Sequence, residues 1–418
     1  MVHILILTLL TLSGGLAASP PTCRAGGACL EALVADAAAA GEGSYLLQTQ
    51  AKVAPTERTA SPLALDALAG EEEYLELTDA APRASKGASA AAESDVMANV
   101  LPGVIGLVLV AALMGASNPV TALKEDLAKY VAEFVGTFVL VFTVGCCINA
   151  GSAVWNATAI ASVLMVMIYA TGYVSGGNLN PAVSFALGLT GKLPWSEVVK
   201  YWAAQCAAGA SAAAAVCSLF SSSLSLEPAA PFNGGHALVV ETIYTFMLCF
   251  VVLNCSASKR NNNPEDSNQF FALAIGFVII AGGYAVGSIS GAAFNPAVAL
   301  GLDVKSFGLG WGIWYGLAEL FGAALAALFF QIVRPEDQSG QDLVNYSPAL
   351  PTKLMSEFLG TFMLVLTFSL NVVAGSPATA FSAAASLMCM TYSLGDVSGA
   401  HFNPAVTMAC VARGACTL

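Results

Sequence analysis

Three short phrases put asparagine and proline in the middle of an apolar chain. Ser175 to Gly188 reads SGGNLNPAVSFALG, Ser290 to Gly301 reads SGAAFNPAVALG, and Ser398 to Ala409 reads SGAHFNPAVTMA. Each contains Asn-Pro-Ala: Asn180, Pro181 and Ala182, then Asn295, Pro296 and Ala297, then Asn403, Pro404 and Ala405. Asparagine is a preferred helix N-cap and proline a preferred first helical residue, so each phrase predicts a helix start. The helices that follow, about Pro181 to Leu189, Pro296 to Leu302 and Pro404 to Val411, are too short to cross a membrane. An asparagine amide at such a tip can hydrogen-bond an uncharged molecule, and the positive end of the helix dipole opposes cations. Enzymatic chemistry finds no support, because His3, His236 and His401 are scattered without metal-ligand spacing. No metal and no cofactor is expected, and no basic run long enough to hold nucleic acid is present.

The elements that position these phrases are membrane spans. Hydrophobic residues make up 57% of the chain and charged residues 10%; with a mean hydropathy of +0.73 the chain lies outside soluble usage. Nine apolar stretches approach the roughly 20 residues a spanning helix needs: 97–116, 128–149, 156–175, 197–220, 235–255, 270–289, 310–333, 354–374 and 378–397. An internal repeat organises them. AEFVGTFVLVF at Ala132 to Phe142, VETIYTFMLCF at Val240 to Phe250 and SEFLGTFMLVL at Ser356 to Leu366 share an acidic residue followed by Thr-Phe. Glu133 precedes Asn180 by 47 residues, Glu241 precedes Asn295 by 54, and Glu357 precedes Asn403 by 46. The unit is two spans, a half-helix and a third span. An odd number of spans inserts successive units upside down relative to each other, as in inverted-repeat channels and transporters.

The first residues read differently. MVHILILTLLTLSGGLAAS has the apolar core and small residues of a secretory signal peptide over 1–18, although no Lys or Arg precedes the core. Residues 20–95 hold 12 Asp and Glu against 5 Lys and Arg, which accounts for much of the net charge of −12. Without sustained periodicity, the segment 19–95 reads as a disordered acidic stretch in the lumen or outside the cell. Cys23 and Cys29 there could pair in an oxidising compartment, while the other nine cysteines lie in or beside spans as small buried thiols. With that segment outside, an additional span over 96–117 leads inward. Nine of the ten Lys and Arg after residue 116 then fall on the cytosolic side, and Lys305 alone falls outside. That count works when the Asn-Pro-Ala phrases are re-entrant. Entry by the secretory pathway suits the plasma membrane first and an internal membrane second.

The region 124–334 resembles the aquaporins, the major intrinsic protein family, on two Asn-Pro-Ala boxes set in six spans with Glu at the start of each half. The resemblance implies an all-α membrane protein: an inverted repeat of six spanning helices and two re-entrant half-helices, assembled as a homotetramer with one pore per subunit. It also implies that Asn180 and Asn295 meet the permeating molecule where the half-helix tips converge, and that the dipole ends exclude protons and cations. Glu133 and Glu241 resemble the family's buried glutamates, which accept hydrogen bonds from the box loops; a proton relay is the other reading of an intramembrane acid. Counted by family spacing, the outer constriction falls on Ile160, Gly283, Ala292 and Val298, with Val298 standing where most members carry Arg. Such a ring implies a wider, more apolar filter. Gly283 also belongs to a stripe with Gly287 and Gly291 that suits helix packing.

Residues 335–352 read as a linker, and 353–418 repeats the first half of the channel, with the third box at Asn403. This extra half-repeat is a fragment of a tandem unit, a half that pairs with another chain, or a remnant. The leading function is passive passage of water or small uncharged solutes such as glycerol and urea, with membrane lipids as surroundings. A non-conducting structural or regulatory membrane protein, or an incomplete tandem channel, is the alternative.

Overall fold

A computed structural model describes residues 121–152, 154–339 and 346–416. The expected signal peptide, the acidic segment and the span at 97–116 lie outside the described residues. Within them the apolar runs are helices, since in lipid every backbone N–H must find its partner inside the protein. The first half comprises α1 (Thr121–Ala150), α2 (Asn156–Ser175), the half-helix α3 (Pro181–Leu189) and α4 (Trp195–Phe220). The second comprises α5 (Gly234–Val252), which runs on as a π-helical turn over Leu253–Ala257, then α6 (Phe271–Ser290), the half-helix α7 (Pro296–Leu302) and α8 (Trp311–Val333). After the short α9 (Glu336–Ser339) come α10 (Leu350–Val373), α11 (Thr379–Ser398) and the half-helix α12 (Pro404–Ala412).

The two halves interlock. Helix α1 packs on α2 and α4, α5 packs on α6 and α8, and α2 meets α6 across the middle. Half-helix α3 lies against α8 and α7 against α4, so each half-helix reaches into the opposite half. The approach of α7 to α4 depends on small residues: a Cβ on Gly301 would stand 2.9 Å from the carbonyl oxygen of Gly209.

The loops that carry the boxes are strained, and carboxylates hold them. Leu179 and Phe294 have φ of 52° and 48°, left-handed values that side chains with a Cβ rarely adopt. In the first half Glu133 accepts from Ser175 Oγ at 2.6 Å and from the backbone N–H groups of Asn178 and Leu179 at 2.9 and 2.7 Å. Gln205 on α4 completes this shell, its Nε2 donating to Glu133 at 2.8 Å. In the second half Glu241 accepts from Ser290 Oγ at 2.6 Å and from the N–H groups of Ala293 and Phe294 at 3.1 and 2.8 Å. On the α8 side Glu319 accepts from the Asn295 N–H at 2.9 Å, while its other carboxyl oxygen is buried without a partner among the described residues.

Among the described residues seven helices are long and apolar enough to cross a membrane. Helix α11, expected as a span over 378–397, has the length but falls outside those seven because of its polar residues. These point into protein. Ser382 Oγ donates to the Ala281 carbonyl at 2.8 Å and Cys389 Sγ to the Ala274 carbonyl at 3.1 Å, both on α6. At the end of α11, Asp396 takes the buried Arg334 guanidinium with two bonds of 2.6 and 2.7 Å, and Arg334 also donates to Asn254 Oδ1 and the Ser393 carbonyl. Helices α10 and α11 are thereby fastened to the second half of the channel.

Two measurements test these ties. Replacing Asp396 with Ala leaves Glu336 at 3.8 Å as the acidic partner of Arg334 among the described residues and should cost about 3 kcal/mol, read as a lowered thermal midpoint in detergent that Asp396→Asn partly restores. Replacing Glu133 with Ala orphans two buried backbone N–H groups at about 1–3 kcal/mol each, so folded protein should be lost on size-exclusion chromatography. Glu319→Gln, which supplies the amide that Gln205 supplies in the first half, should elute as wild type.

Candidate functional site

Every helix start at a box follows the same local chemistry. Asn180 and Asn295 have extended backbone and accept, through Oδ1, the N–H of Ala182 at 2.8 Å and of Ala297 at 3.0 Å. Pro181 and Pro296 each occupy the first helical turn, where a missing N–H costs nothing. The remaining donors cross over: Asn180 Nδ2 donates to the Phe294 carbonyl at 2.8 Å, and Asn295 Nδ2 to the Leu179 carbonyl at 2.9 Å. Each box braces the residue before the other, which fixes the two tips face to face. Each NH₂ has two hydrogens, so one further donor per amide is free for a passing molecule.

Around these tips runs a cavity of about 840 Å³ lined by Asn180 and Asn295. All four residues counted from the boxes, Ile160, Gly283, Ala292 and Val298, line it too. At Gly283 a Cβ would lie 2.8 Å from the Ala157 Cβ on α2, so the glycine lets the two helices approach. At Gly287, one turn on, a Cβ would meet nothing within 4 Å. Charge is sparse along the wall: of the residues lining the cavity only Glu227 and Lys192 are charged. Lys192 is tied to Asp337 by a 2.7 Å ion pair. Among the described residues no group of His, Cys, Asp or Glu is placed to hold a metal ion.

Sequence reasoning missed one wall. The extended segment after α4 alternates, with Leu224 and Leu226 buried at 4% and 6% exposure while Ser225 and Glu227 are exposed and line the cavity. The segment is pinned where the Ala229 N–H donates to the Ile289 carbonyl at 3.0 Å. Leu226 lines the cavity and shares an apolar cluster with Val298. The alternation Ser-Leu-Ser-Leu-Glu was the available signal, a two-residue period that a chain read for helices hides. Gln205 and Glu319 were also missed, since nothing in sequence spacing links them to the boxes.

The third box is not brought to this site. Asn403 caps its helix by accepting from the Ala405 N–H at 2.9 Å, and Asn403, Pro404 and Ala405 are all exposed. His236 caps α5 in a reciprocal pair with Asn233.

Comparison with known proteins places the chain in one family. The major intrinsic protein family model matches residues 120–304, 259–374 and 369–418. Aquaporin NIP1-3 of Oryza sativa subsp. japonica is 34% identical over 223 residues, covering 50% of this chain and 75% of the relative. Aquaporin NIP2-1 of the same organism is 32% identical over 239 residues, covering 53% and 76%. An X-ray structure of the aquaglyceroporin from Plasmodium falciparum matches 51% of this chain and 98% of its own at 20% identity, with a TM-score of 0.45, too loose a likeness to carry an argument. On the family match and the relatives together, this chain belongs to the major intrinsic protein family and is an integral multi-pass membrane channel for water or small solutes.

Proposed function

We propose that the cavity between the two half-helices is a single-file path for water and small neutral solutes of the glycerol and urea type, with a filter free of arginine. The observation that carries this is the convergence of Ile160, Gly283, Ala292 and Val298 with Asn180 and Asn295 on one cavity. A charged residue at Val298 would offer donors to water and repel cations; valine offers only a methyl-lined wall. Leu226 adds a second aliphatic wall beside it. The path then tolerates the carbon skeleton of a polyol, and exclusion of cations falls to the half-helix tips and their amides. Glu133 and Glu241 belong to the scaffold, because their oxygens are taken up by the loops they hold.

The same reading covers the rest of the chain. Residues 124–334 form the channel domain, 335–352 a linker and 353–418 the first half of a second unit. Residues 1–18 act as a signal peptide, 19–95 as an acidic segment outside the membrane and 96–117 as an added span, which brings the protein through the secretory pathway to the plasma membrane. A homotetramer would use α2, where Val166, Tyr169, Tyr173 and Val174 are exposed, because the α6 surface is covered by α11.

The test is light scattering on proteoliposomes of the full chain. Sucrose should drive shrinkage faster than in empty vesicles, and glycerol should give fast reswelling. Val298→Arg should slow glycerol entry by roughly tenfold, a barrier increase of about 1.4 kcal/mol, with water flux reduced less. Leu226→Ala should raise entry of polyols larger than glycerol and leave water flux unchanged. Fluxes equal to those of empty vesicles would overturn the reading.

A further inference from the structure

The half-repeat α10–α12 reproduces the backbone hydrogen bonds and dihedrals of the first half's loop, yet its working face is bare. Glu357 accepts from Ser398 Oγ at 2.6 Å and from the N–H groups of His401 and Phe402 at 3.0 and 2.7 Å, the bonding pattern of Glu133. Phe402 has φ 47° against 52° for Leu179, and Asn403 has φ −157° and ψ 120° against −158° and 121° for Asn180. Even the seat is kept, with Phe402 against Gly360 as Leu179 lies against Gly136. The loop is therefore built and held without a partner.

Burial separates the two copies. Val141 and Val144 of α1 are 0% and 9% exposed, while their counterparts in α10, Val365 and Phe368, are 55% and 50% exposed. Val183 is 3% exposed and its counterpart Val406 is 42% exposed. No residue of α12 is buried. In the complete unit this face is covered by α4 and by α7 and α8 of the inverted half, and Asn180 Nδ2 spends its bond on a carbonyl of that half. Among the described residues Asn403 Nδ2 has no such acceptor and the Phe402 carbonyl no such donor.

We infer that the exposed face of α10 and α12 is a docking surface for a half-channel of opposite membrane orientation, made up like α5–α8 and closing beside a span like α4. A second copy of α10–α12 does not fit. Helices α2 and α11 run the same way, since Tyr169 bonds the Gln269 carbonyl and Tyr392 stacks on Phe270 of the same loop at 4.3 Å. Copies of one chain share one orientation in a membrane, and the inverted half among the described residues, α5–α8, is engaged with its own α1–α4. The occupant brings a box whose asparagine donates to the Phe402 carbonyl and whose preceding carbonyl accepts from Asn403 Nδ2, and a second pore forms between them. The pore rests on the function proposed above; the docking does not.

The experiment is hydrogen–deuterium exchange of the full chain in micelles. Amides of residues 404–412 should exchange at least about tenfold faster than those of 181–189. A second chain, with residues 190–334 repeated after Ala412, the counterpart of Leu189, supplies the missing half in register. There 404–412 should become as protected as 181–189, and in proteoliposomes water flux per chain should rise about twofold. If both segments are equally protected in the unextended chain, something else covers α12 and the inference fails; protection that grows with protein concentration would identify a second copy. If 404–412 stays open in the extended chain while 181–189 remains protected, or when 190–334 is co-expressed as a separate chain, the surface is no docking site. Protection without added flux would leave the docking standing and count against the pore.

Discussion

A buried carboxylate that accepts two backbone N–H groups from a left-handed loop is the interaction on which the channel depends. The loop must turn from the end of one helix into the tip of a half-helix at mid-membrane, where no water can satisfy its backbone. Left-handed residues at Leu179 and Phe294 make that turn possible and cost strain, of order 1 kcal/mol or more each. Glu133 and Glu241 offset it by taking the exposed donors in charge-assisted bonds. With the loops held, the asparagines can brace each other's carbonyls, and only then do the tips define a path. Removing a carboxylate therefore undoes the site from beneath, although neither acid is part of the constriction itself.

The two halves solve this problem with different second partners. Gln205 donates an amide hydrogen to Glu133 at 2.8 Å. Glu319, on α8, instead accepts from the Asn295 N–H at 2.9 Å, which ties it to the box itself. The second half thus anchors its asparagine through the backbone as well as through the cap. This asymmetry sits on the side of the pore that carries Ala292 and Val298, where no arginine stiffens the wall. The stiffness comes instead from the apolar cluster in which Leu224, Leu226 and Val298 pack.

Much of this was legible in the sequence because the membrane restricts the backbone so strongly. Asn-Pro fixes a helix start from local geometry alone, and α3 and α7 begin and end where that chemistry puts them, at Pro181–Leu189 and Pro296–Leu302. Counting from the boxes gave Ile160 and Val298, and both line the cavity, Val298 from the half-helix itself and Ile160 from α2. What stayed hidden lies where side chains from distant segments meet. Leu226 belongs to a loop whose register nothing local sets, and Glu319 reads as one more intramembrane acid until the structure sets it against the Asn295 N–H. Helix α11 forms where the apolar run put it, at Thr379–Ser398, although polar residues turned toward α6 lower its hydropathy.

The history of that helix can be read by setting it beside its copy. Ala159, Val163, Val166, Ala170 and Tyr173 of α2 correspond to Ser382, Ser386, Cys389, Ser393 and Asp396 of α11. On α2 this stripe has no protein neighbour at its outer positions, with Val166 57% and Tyr173 83% exposed. On α11 the three serines and the cysteine are fully buried, against α6, the π-helical turn and α10. A hydroxyl facing hydrocarbon goes unpaired, whereas one facing another helix can donate to a carbonyl for about 0.6–2 kcal/mol. Asp396 carries the argument to its limit, because a carboxylate in lipid is excluded unless a partner such as Arg334 waits for it. The polar stripe therefore records that α11 is placed against the channel unit as protein against protein.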